Sequence, residues 1–362
     1  MDKKEEYKSA LSVNPGVEQP PAINANIVSR LKAKRRKALS TSEYTEGILN
    51  GNISILSQAI TLVESSLPDH HEAGQKIIEQ CLGYAGNSIR IGITGVPGVG
   101  KSSFIEALGG TITANGGKLA VLAIDPSSER SKGSILGDKT RMETLCNDPN
   151  AFIRPSPSAG SLGGVARKTR EIIVLCEAAG FDTIFIETVG VGQSETAVHS
   201  MVDFFLLLML AGAGDELQGI KRGIMEMADL IAITKSDNNN VQRANLAKAQ
   251  YESALHLFPS PDSGWLPRVR TCSSHTKAGI ADVWNEILDY VKTTKQSGFF
   301  HNRRLHQAKY WMYESVSGWV KDDVFNSPKV KPLIVSLESD LLNNKISSFA
   351  AAKKIVECYK NL

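Results

Sequence analysis

The sequence predicts an α/β protein with a doubly wound, mostly parallel sheet, and two observations support this. Short apolar runs alternate with longer helical patterns, as expected for buried parallel strands joined by crossover helices. One glycine-rich loop follows the first run, where a sheet of this kind binds its ligand. The predicted strands are 89–94, 119–124, 151–154, 183–186, 204–210, 230–234 and 269–272. The predicted helices between them are near 101–114, 164–180, 217–228, 240–258 and 279–294.

Helical patterns flank this alternating region on both sides. Upstream, apolar residues recur at helical spacing after Asn52, which we expect to be an N-cap, and a second helix is predicted over about 71–84. Downstream, three apolar stripes predict three helices whose apolar faces need a partner, either the sheet domain or a second subunit. The stripes are Leu305, Ala308, Met312, Val316 and Trp319, then Ile334, Leu337 and Leu341, then Phe349, Ala352 and Val356. The predicted organisation is a weakly ordered segment 1–45, a helical section 46–88, a sheet domain 89–298 and a helical extension 299–362.

Composition and charge exclude several classes of protein. The net charge is only +3, so we expect no nucleic-acid partner. The five cysteines lie far apart without a Cys-x-x-Cys pair, which argues against a disulfide framework or zinc ribbon and favours a reducing compartment. The longest apolar run, 204–211, is less than half of a membrane span, and the charged N-terminus lacks the apolar run of a secretory signal. We therefore expect a cytoplasmic protein with no membrane partner.

The strongest motif is a complete G-x-x-x-x-G-K-[ST] loop after the first predicted strand. Glycines allow the backbone to wrap a phosphate chain, and the exposed N–H groups and helix N-terminus bind the anion. We expect Lys101 to reach the outer phosphates and stabilise transition-state charge, and Ser102 to ligate Mg²⁺. The predicted nucleotide-binding residues of the loop are Gly95, Val96, Pro97, Gly98, Val99, Gly100, Lys101, Ser102 and Ser103.

Carboxylates follow two later strands, where a ligand of Mg²⁺ or of its water shell belongs. Asp125 comes directly after the second predicted strand, and Glu187 comes after the strand 183–186. Gly190 is placed to offer its N–H to a γ-phosphate, so 188–198 is predicted to be a switch that reads the nucleotide state. We also consider Gln193 as a residue that orients water, although a glutamine there is more often simply solvated.

A third motif concerns the base of the nucleotide. The run Thr234-Lys235-Ser236-Asp237 resembles the guanine-reading N-K-x-D box of GTPases, with Thr234 in place of asparagine. Asp237 would accept hydrogen bonds from the guanine N1–H and 2-amino groups, and Lys235 would lie along the base. The threonine removes an amide that braces the loop, and this departure makes the match to the guanine box less complete. Ser273, Ser274 and His275 follow the last strand, where GTPases place a backbone contact to guanine O6. The two motifs together favour GTP over ATP.

Taken with further strings, these motifs resemble the methylmalonyl-CoA mutase-associated GTPases of the MeaB and ArgK type. The resemblance covers about residue 46 to the C-terminus and weakens after 298. The matching runs are 90–102, 125–128, 133–142, 187–195 and 212–221, with 59–64 upstream. The glutamate-containing run 187–195 and the Gly-Asp-Glu-Leu-Gln-Gly-Ile run are far more specific than the P-loop. The chain is therefore predicted to contain a P-loop GTPase domain with helical N- and C-terminal extensions.

The resemblance implies a GTPase that acts as a chaperone for cobalamin-dependent methylmalonyl-CoA mutase. Such proteins bind GTP or GDP with Mg²⁺ and gate the loading of the cofactor and the removal of damaged cofactor. It further implies a homodimer built partly by the C-terminal helices. Asp138 corresponds to a switch carboxylate associated with Mg²⁺ or its water shell, and 212–221 corresponds to a third switch that senses the partner.

Two other functions remain open from the sequence. One is a kinase that uses ATP to phosphorylate a transport-related protein, the older interpretation of ArgK-type proteins. We identify no acceptor pocket with a base for it. The other is a metal-insertion GTPase of related fold. Proteins of that class usually carry segments rich in His and Cys, whereas here His70 and His71 form an isolated pair.

Overall fold

A seven-stranded sheet, all of it parallel, organises the chain from Thr41 onward. The computed structural model describes residues 39–65, 67–124, 142–156, 162–188, 194–211 and 222–361. The strands are β1 (Ile89–Gly95), β2 (Leu119–Ile124), β3 (Ala151–Ser156), β4 (Thr183–Thr188), β5 (Phe204–Leu210), β6 (Leu230–Thr234) and β7 (Arg268–Thr271). Their order in space is β3-β2-β4-β1-β5-β6-β7. The predicted α/β fold with a parallel sheet is therefore confirmed.

The sheet reverses its direction of winding at β1. From β1 the chain builds β2, β3 and β4 on one side, then crosses to β5, β6 and β7 on the other. Ligands of such sheets bind beyond the carboxyl ends of the strands at this switch point. The P-loop leaves the carboxyl end of β1, so the topology places it in that crevice.

Most predicted strand bounds are close to those of the structure. β2, β5 and β6 match residue for residue, because each is an apolar run buried on both faces. β3 and β4 each continue two residues beyond the prediction, since Ile124 pairs with both Ser156 and Thr188 at the end of the ladder. Backbone pairing thus extends strands through polar residues that an apolar-run rule leaves out.

Helices cover the sheet between the strands. Their bounds are α4 (Lys101–Ala114), α5 (Glu143–Cys146), α6 (Leu162–Ala178), α7 (Ser194–His199), α8 (Arg222–Met227), α9 (Val241–Leu255) and α10 (Ile280–Gln296). The core between α4, α10 and the sheet contains Phe104, Phe185, Phe204 and Tyr290, all fully buried. Within the stretch predicted over 217–228, residues 222–227 form α8, and 212–221 lie outside the described residues.

Three helices precede the sheet: α1 (Thr41–Leu49), α2 (Ile53–Glu64) and α3 (Pro68–Cys81). Asn52 caps α2 as predicted, because its side chain accepts from the N–H groups of Ser54 and Ile55. The prediction of 71–84 for the next helix is wrong at its start. Pro68 occupies the first helical position, where its missing N–H costs nothing. Residues 82–84 form a separate 3₁₀ turn.

The N-terminal helices are held to β3 and α6 by polar contacts. Arg154 and Lys168 both donate to Glu64, and Gln75 Nε2 donates to Glu171 Oε1 over 2.9 Å. Burial raises the pKa of Glu64, and the hydrogen bond and charge of Arg154 oppose that rise. The helix α1 crosses the predicted boundary at residue 45.

The C-terminal extension consists of α11 (Phe299–Asn326), α12 (Val330–Leu342) and α13 (Ser348–Lys360). The apolar stripe of α11 does not pack on the sheet domain, since Leu305, Met312, Val316 and Trp319 are exposed by 48–69%. The opposite face of α11 packs inward through Phe300, Gln307 and Trp311, which are buried. In the described residues, no helix is both long enough and apolar enough to span a membrane.

Candidate nucleotide site

The P-loop follows β1 and leads directly into α4. Gly100 has φ of +90°, a left-handed conformation that side chains rarely adopt, and it stands immediately before the helix. Gly95 is required for a different reason, because a Cβ there would lie 2.5 Å from the carbonyl oxygen of Leu208 on β5. The two glycines therefore fix the shape of a loop that can surround a phosphate chain.

Some side chains of the P-loop are buried in the core, and others are exposed at the site. Val96 and Val99 are buried in the hydrophobic core, so only their backbone groups can contact a nucleotide. Pro97, Gly98 and Ser103 are exposed, and Ser102 is partly exposed in the first turn of α4. The N-terminus of α4 thus presents N–H groups and a hydroxyl toward the position expected for the phosphates.

Lys101 lies at the start of α4, and its Nζ donates to the carbonyl oxygen of Gly95 over 2.8 Å. Burial lowers its pKa, and the negative charges of Glu187 and Glu195 oppose that shift. The lysine is thus partly withdrawn from solvent beside two carboxylates. A phosphate chain in the loop would add further negative charge beside this half-buried ammonium group.

Two consecutive residues at the end of β6 hold the P-loop, Thr234 as the last residue of the strand and Lys235 as the next residue. The buried Thr234 hydroxyl donates to the carbonyl oxygen of Val99 over 2.7 Å. Lys235 Nζ donates to the neighbouring carbonyl of Gly98 over 2.8 Å. Threonine therefore places a hydroxyl that reaches the loop at the position where the guanine box usually has an asparagine amide. Because the C=O and N–H of one trans peptide unit point in opposite directions, fixing these two carbonyls also fixes the direction of the N–H groups of Val99 and Gly100.

Replacing Thr234 with valine tests this brace. Valine keeps the shape but removes the donor, leaving the buried carbonyl of Val99 without this hydroxyl, so we expect the Kd for GDP to rise about tenfold. Thr234→Ser retains a hydroxyl and serves as the matched control. Fluorescent GDP titration of both variants is the measurement. Equal affinity for the valine and serine variants would contradict a bracing role.

Asp237 lies beside the strand end of β7. Ser273, fully buried, donates from its hydroxyl to Asp237 Oδ2, and Ser236 N donates to Cys272 O over 3.0 Å. The Ser273 hydroxyl thereby orients the carboxylate, whose oxygens keep acceptor sites for a base. The two motifs predicted to recognise guanine are brought together as expected.

These groups line a cleft of about 470 Å³ beside the P-loop. Its walls include the predicted Val99, Gly100, Ser103, Lys235, Asp237, Ser274 and His275. The sequence did not single out Glu106, Ala107, Gly110, Thr144 and Lys277, which also line it. Ser103, Glu106, Ala107 and Gly110 follow helical spacing, so a single face of α4 carries them. Helical spacing counted from Ser103 would therefore have predicted Glu106, Ala107 and Gly110 as residues of the cleft.

Comparison with known proteins identifies the family once this geometry is established. Residues 56–329 match the family model described as methylmalonyl Co-A mutase-associated GTPase MeaB. The chain belongs to the MeaB family. It is 46% identical to GTPase ArgK of Escherichia coli, over 78% of this chain and 86% of that one. It is 43% identical to the mouse protein named methylmalonic aciduria type A homolog, mitochondrial, over 88% of this chain and 79% of that one.

A solved structure agrees with this assignment. The crystal structure of a protein titled LAO/AO transport system kinase matches with a TM-score of 0.69 and 37% identity, over 89% of this chain and 98% of that chain. As a member of the MeaB family, the chain is a P-loop GTPase. The P-loop and the strand ends at 234–237 and 272–275 all lie inside the matched residues.

Several predicted residues of this MeaB-family site fall outside the described ranges. They are Asp125, Asp138, Gly190 and Gln193, together with the run 212–221. Glu187 is described. It is buried and lies within β4 rather than beyond its end, paired in register with Ile93 on β1. Next to it, the Thr188 hydroxyl donates to Thr94 Oγ1 over 2.8 Å, a buried contact that the sequence did not indicate.

Proposed function

We propose that this MeaB-family GTPase is a chaperone for a cobalamin-dependent methylmalonyl-CoA mutase. It uses GTP binding and hydrolysis to gate the loading of the cobalamin cofactor and the protection of the mutase. The observation that carries the proposal is the match of residues 56–329 to a family described by its association with that mutase. The name of the mouse relative refers to methylmalonic aciduria, which supports the same metabolic setting.

GTP binds in the cleft between the P-loop and the two strand ends. Backbone N–H groups of the P-loop hold the phosphates, and Lys101 stabilises the charge that develops as the γ-phosphate leaves. Asp237 and Lys235 read the guanine, with Ser273, Ser274 and His275 closing the opposite side. A switch requires long-lived nucleotide states, so slow intrinsic hydrolysis is the expected behaviour.

The donor set fits Mg²⁺, which prefers oxygen ligands and is commonly bound by one or two carboxylates together with substrate phosphates. Ser102 would hold the ion through its hydroxyl, and Glu187 through its carboxylate or an intervening water. Asp125 and Asp138 remain predicted ligands from the sequence. When bound, Mg²⁺ neutralises phosphate charge during hydrolysis.

The outer face of the C-terminal extension is the proposed homodimer surface. Large apolar side chains are exposed along it, including Leu305, Tyr313, Trp319, Leu342 and Phe349. Exposed large apolar side chains in such number on one part of a folded chain favour an interaction site there. A second copy of the chain would bury it, and the chaperone would then act as a dimer.

Steady-state hydrolysis measured with and without purified methylmalonyl-CoA mutase tests the function, with ATP in place of GTP as control. We expect slow, GTP-selective turnover that the mutase accelerates, because a client that binds one nucleotide state preferentially shifts the populations of the switch. GTP turnover indifferent to the mutase would overturn the proposed client while leaving the GTPase intact. A preference for ATP would overturn the base assignment and favour a kinase.

A further inference from the structure

A short segment lies between the nucleotide site and the C-terminal extension. It comprises α7 and the four residues that join α7 to β5, and we call residues 194–203 the bridging segment. At its start, the Glu195 side chain is buried at 2% exposure and contributes negative charge at Lys101. One end of the bridging segment therefore belongs to the surroundings of the P-loop lysine.

The bridging segment packs directly on the strand that leads into the P-loop. A Cβ at Gly92 of β1 would lie 2.8 Å from Val198 Cγ1 and 3.2 Å from Val202 Cγ2. The missing side chain at 92 admits these two valines against the strand, three residues before the P-loop begins. Interiors are close-packed, so a shift of the bridging segment would be felt at β1.

The other side of the bridging segment is held by α11. Arg303, Gln307 and Trp311 are four residues apart and share one face of that helix. Their side chains donate to three backbone carbonyls of the segment: Arg303 Nη1 to Asp203 over 3.1 Å, Gln307 Nε2 to Val202 over 2.8 Å and Trp311 Nε1 to Ser200 over 3.2 Å. We call these three side chains the α11 ladder.

Further contacts tie the same junction. Arg303 Nη2 lies 3.1 Å from His199 Nε2, and its Nη1 donates to the Tyr290 hydroxyl over 3.0 Å and lies 3.8 Å from Asp229. Burial, reinforced by the positive charge of Arg303, lowers the pKa of His199 to about 4, so its neutral ring accepts from the arginine. His199, the last residue of α7, is thus bonded to Arg303 of the α11 ladder.

Gln307 is an unusual choice for a buried position. It is 6% exposed, and within the described residues its Oε1 has no hydrogen-bond partner. A buried carbonyl oxygen without a partner lowers stability, and a leucine of similar size would avoid that cost but would leave the Val202 carbonyl without this donor. The bond from Nε2 to the Val202 carbonyl therefore accounts for an amide at this position.

We propose that Arg303, Gln307 and Trp311 are positioning residues for GTP hydrolysis. By holding the bridging segment on β1, they keep Glu195 beside Lys101, so the C-terminal helix is part of the machinery of hydrolysis. This inference requires only the GTPase activity and goes beyond the proposed mutase client. It gives the C-terminal extension a direct physical route to the nucleotide site.

Two conservative variants of the full chain test the ladder without the mutase. Gln307→Leu removes the donor together with the unpartnered oxygen, and Trp311→Phe removes the N–H but keeps an aromatic ring. We expect kcat for GTP to fall about tenfold in each, since small displacements at a reacting centre have effects of this order or larger. The Kd for GDP should stay within about twofold of the parent. The Tm of Gln307→Leu should stay close to that of the parent, because the variant loses an unpartnered oxygen but also leaves the Val202 carbonyl without this donor.

Ser317→Ala is the matched control on α11, because among the described residues its hydroxyl donates to Tyr313 O within the same helix. Its kcat should be unchanged. A parental kcat in both ladder variants, with folding intact, would overturn the proposal. So would a fall in kcat that merely follows a lower folded fraction, measured by Tm and circular dichroism. If one variant does not fold, the other decides, and both readouts are independent of whether the mutase is the client.

Discussion

Replacing Lys101 with alanine is expected to lower kcat/KM for GTP by about 10²–10³-fold, the usual effect of losing one preorganised group that stabilises transition-state charge. Lys101 is the P-loop lysine, partly buried and bonded to Gly95 O, with Glu187 and Glu195 opposing the fall in its pKa. No other side chain of the loop carries a positive charge. Phosphate release, measured at saturating and limiting GTP, separates the loss of kcat from that of binding.

This loss should come without loss of folding. A cation is disfavoured in the first turn of a helix, because the exposed N–H groups there carry partial positive charge. Alanine is also the better helix former, so the Tm of the variant should be at least that of the parent. Lys118→Ala serves as the control. Lys118 is an exposed lysine immediately before β2, so this variant should hydrolyse GTP normally. Unimpaired hydrolysis in Lys101→Ala would mean that the site has been misplaced.

Local rules predicted most of the sheet because its strands are buried on both faces. β5 and β6 are continuous apolar runs, and their bounds match the prediction. The ends of β3 and β4 did not, since pairing with Ile124 extends them. The predicted start of α3 is three residues late, because the helix begins at Pro68 and the first helical position accepts a proline.

The packing of the C-terminal helix shows a deeper limit. Apolar spacing correctly predicted a helix through Leu305 and Trp319, but that stripe faces outward. The inward face bonds to backbone carbonyls through Arg303, Gln307 and Trp311, two of them polar, which no apolar pattern selects. Hydrophobic periodicity identifies a helix, whereas the face that docks depends on which backbone groups the rest of the fold leaves to be satisfied.

The nucleotide site illustrates the same distinction. The motifs predicted Lys101, Lys235 and Asp237, because each of them belongs to a short run of characteristic residue types. The brace from Thr234 to Val99 depends on two segments 135 residues apart in the chain. Only the fold shows that a threonine hydroxyl reaches the loop as well as supporting strand β5 through Met209 O.

Replacing Asp237 with asparagine is expected to change which base the site accepts. The carboxylate would accept from both the N1–H and the 2-amino group of guanine. The amide of the variant can still accept from N1–H, but its NH₂ meets the 2-amino group donor to donor. Xanthine carries an oxygen at that position and accepts from the NH₂. A lost hydrogen bond to a charged group and an unpaired donor together amount to about 3 kcal/mol, so we expect KM for GTP to rise at least about 100-fold.

Ser273→Ala provides the matched control for this exchange. It removes the hydroxyl that fixes Asp237 Oδ2 but leaves the carboxylate, so it should weaken GTP binding modestly without favouring xanthosine triphosphate. Competition of GTP, ATP and xanthosine triphosphate against fluorescent GDP measures all three preferences at once. An inverted preference in Asp237→Asn alone would locate base recognition at this carboxylate. Unchanged selectivity in that variant would remove Asp237 from the base site, because a carboxylate in contact with guanine cannot become an amide without altering the donor pattern it recognises.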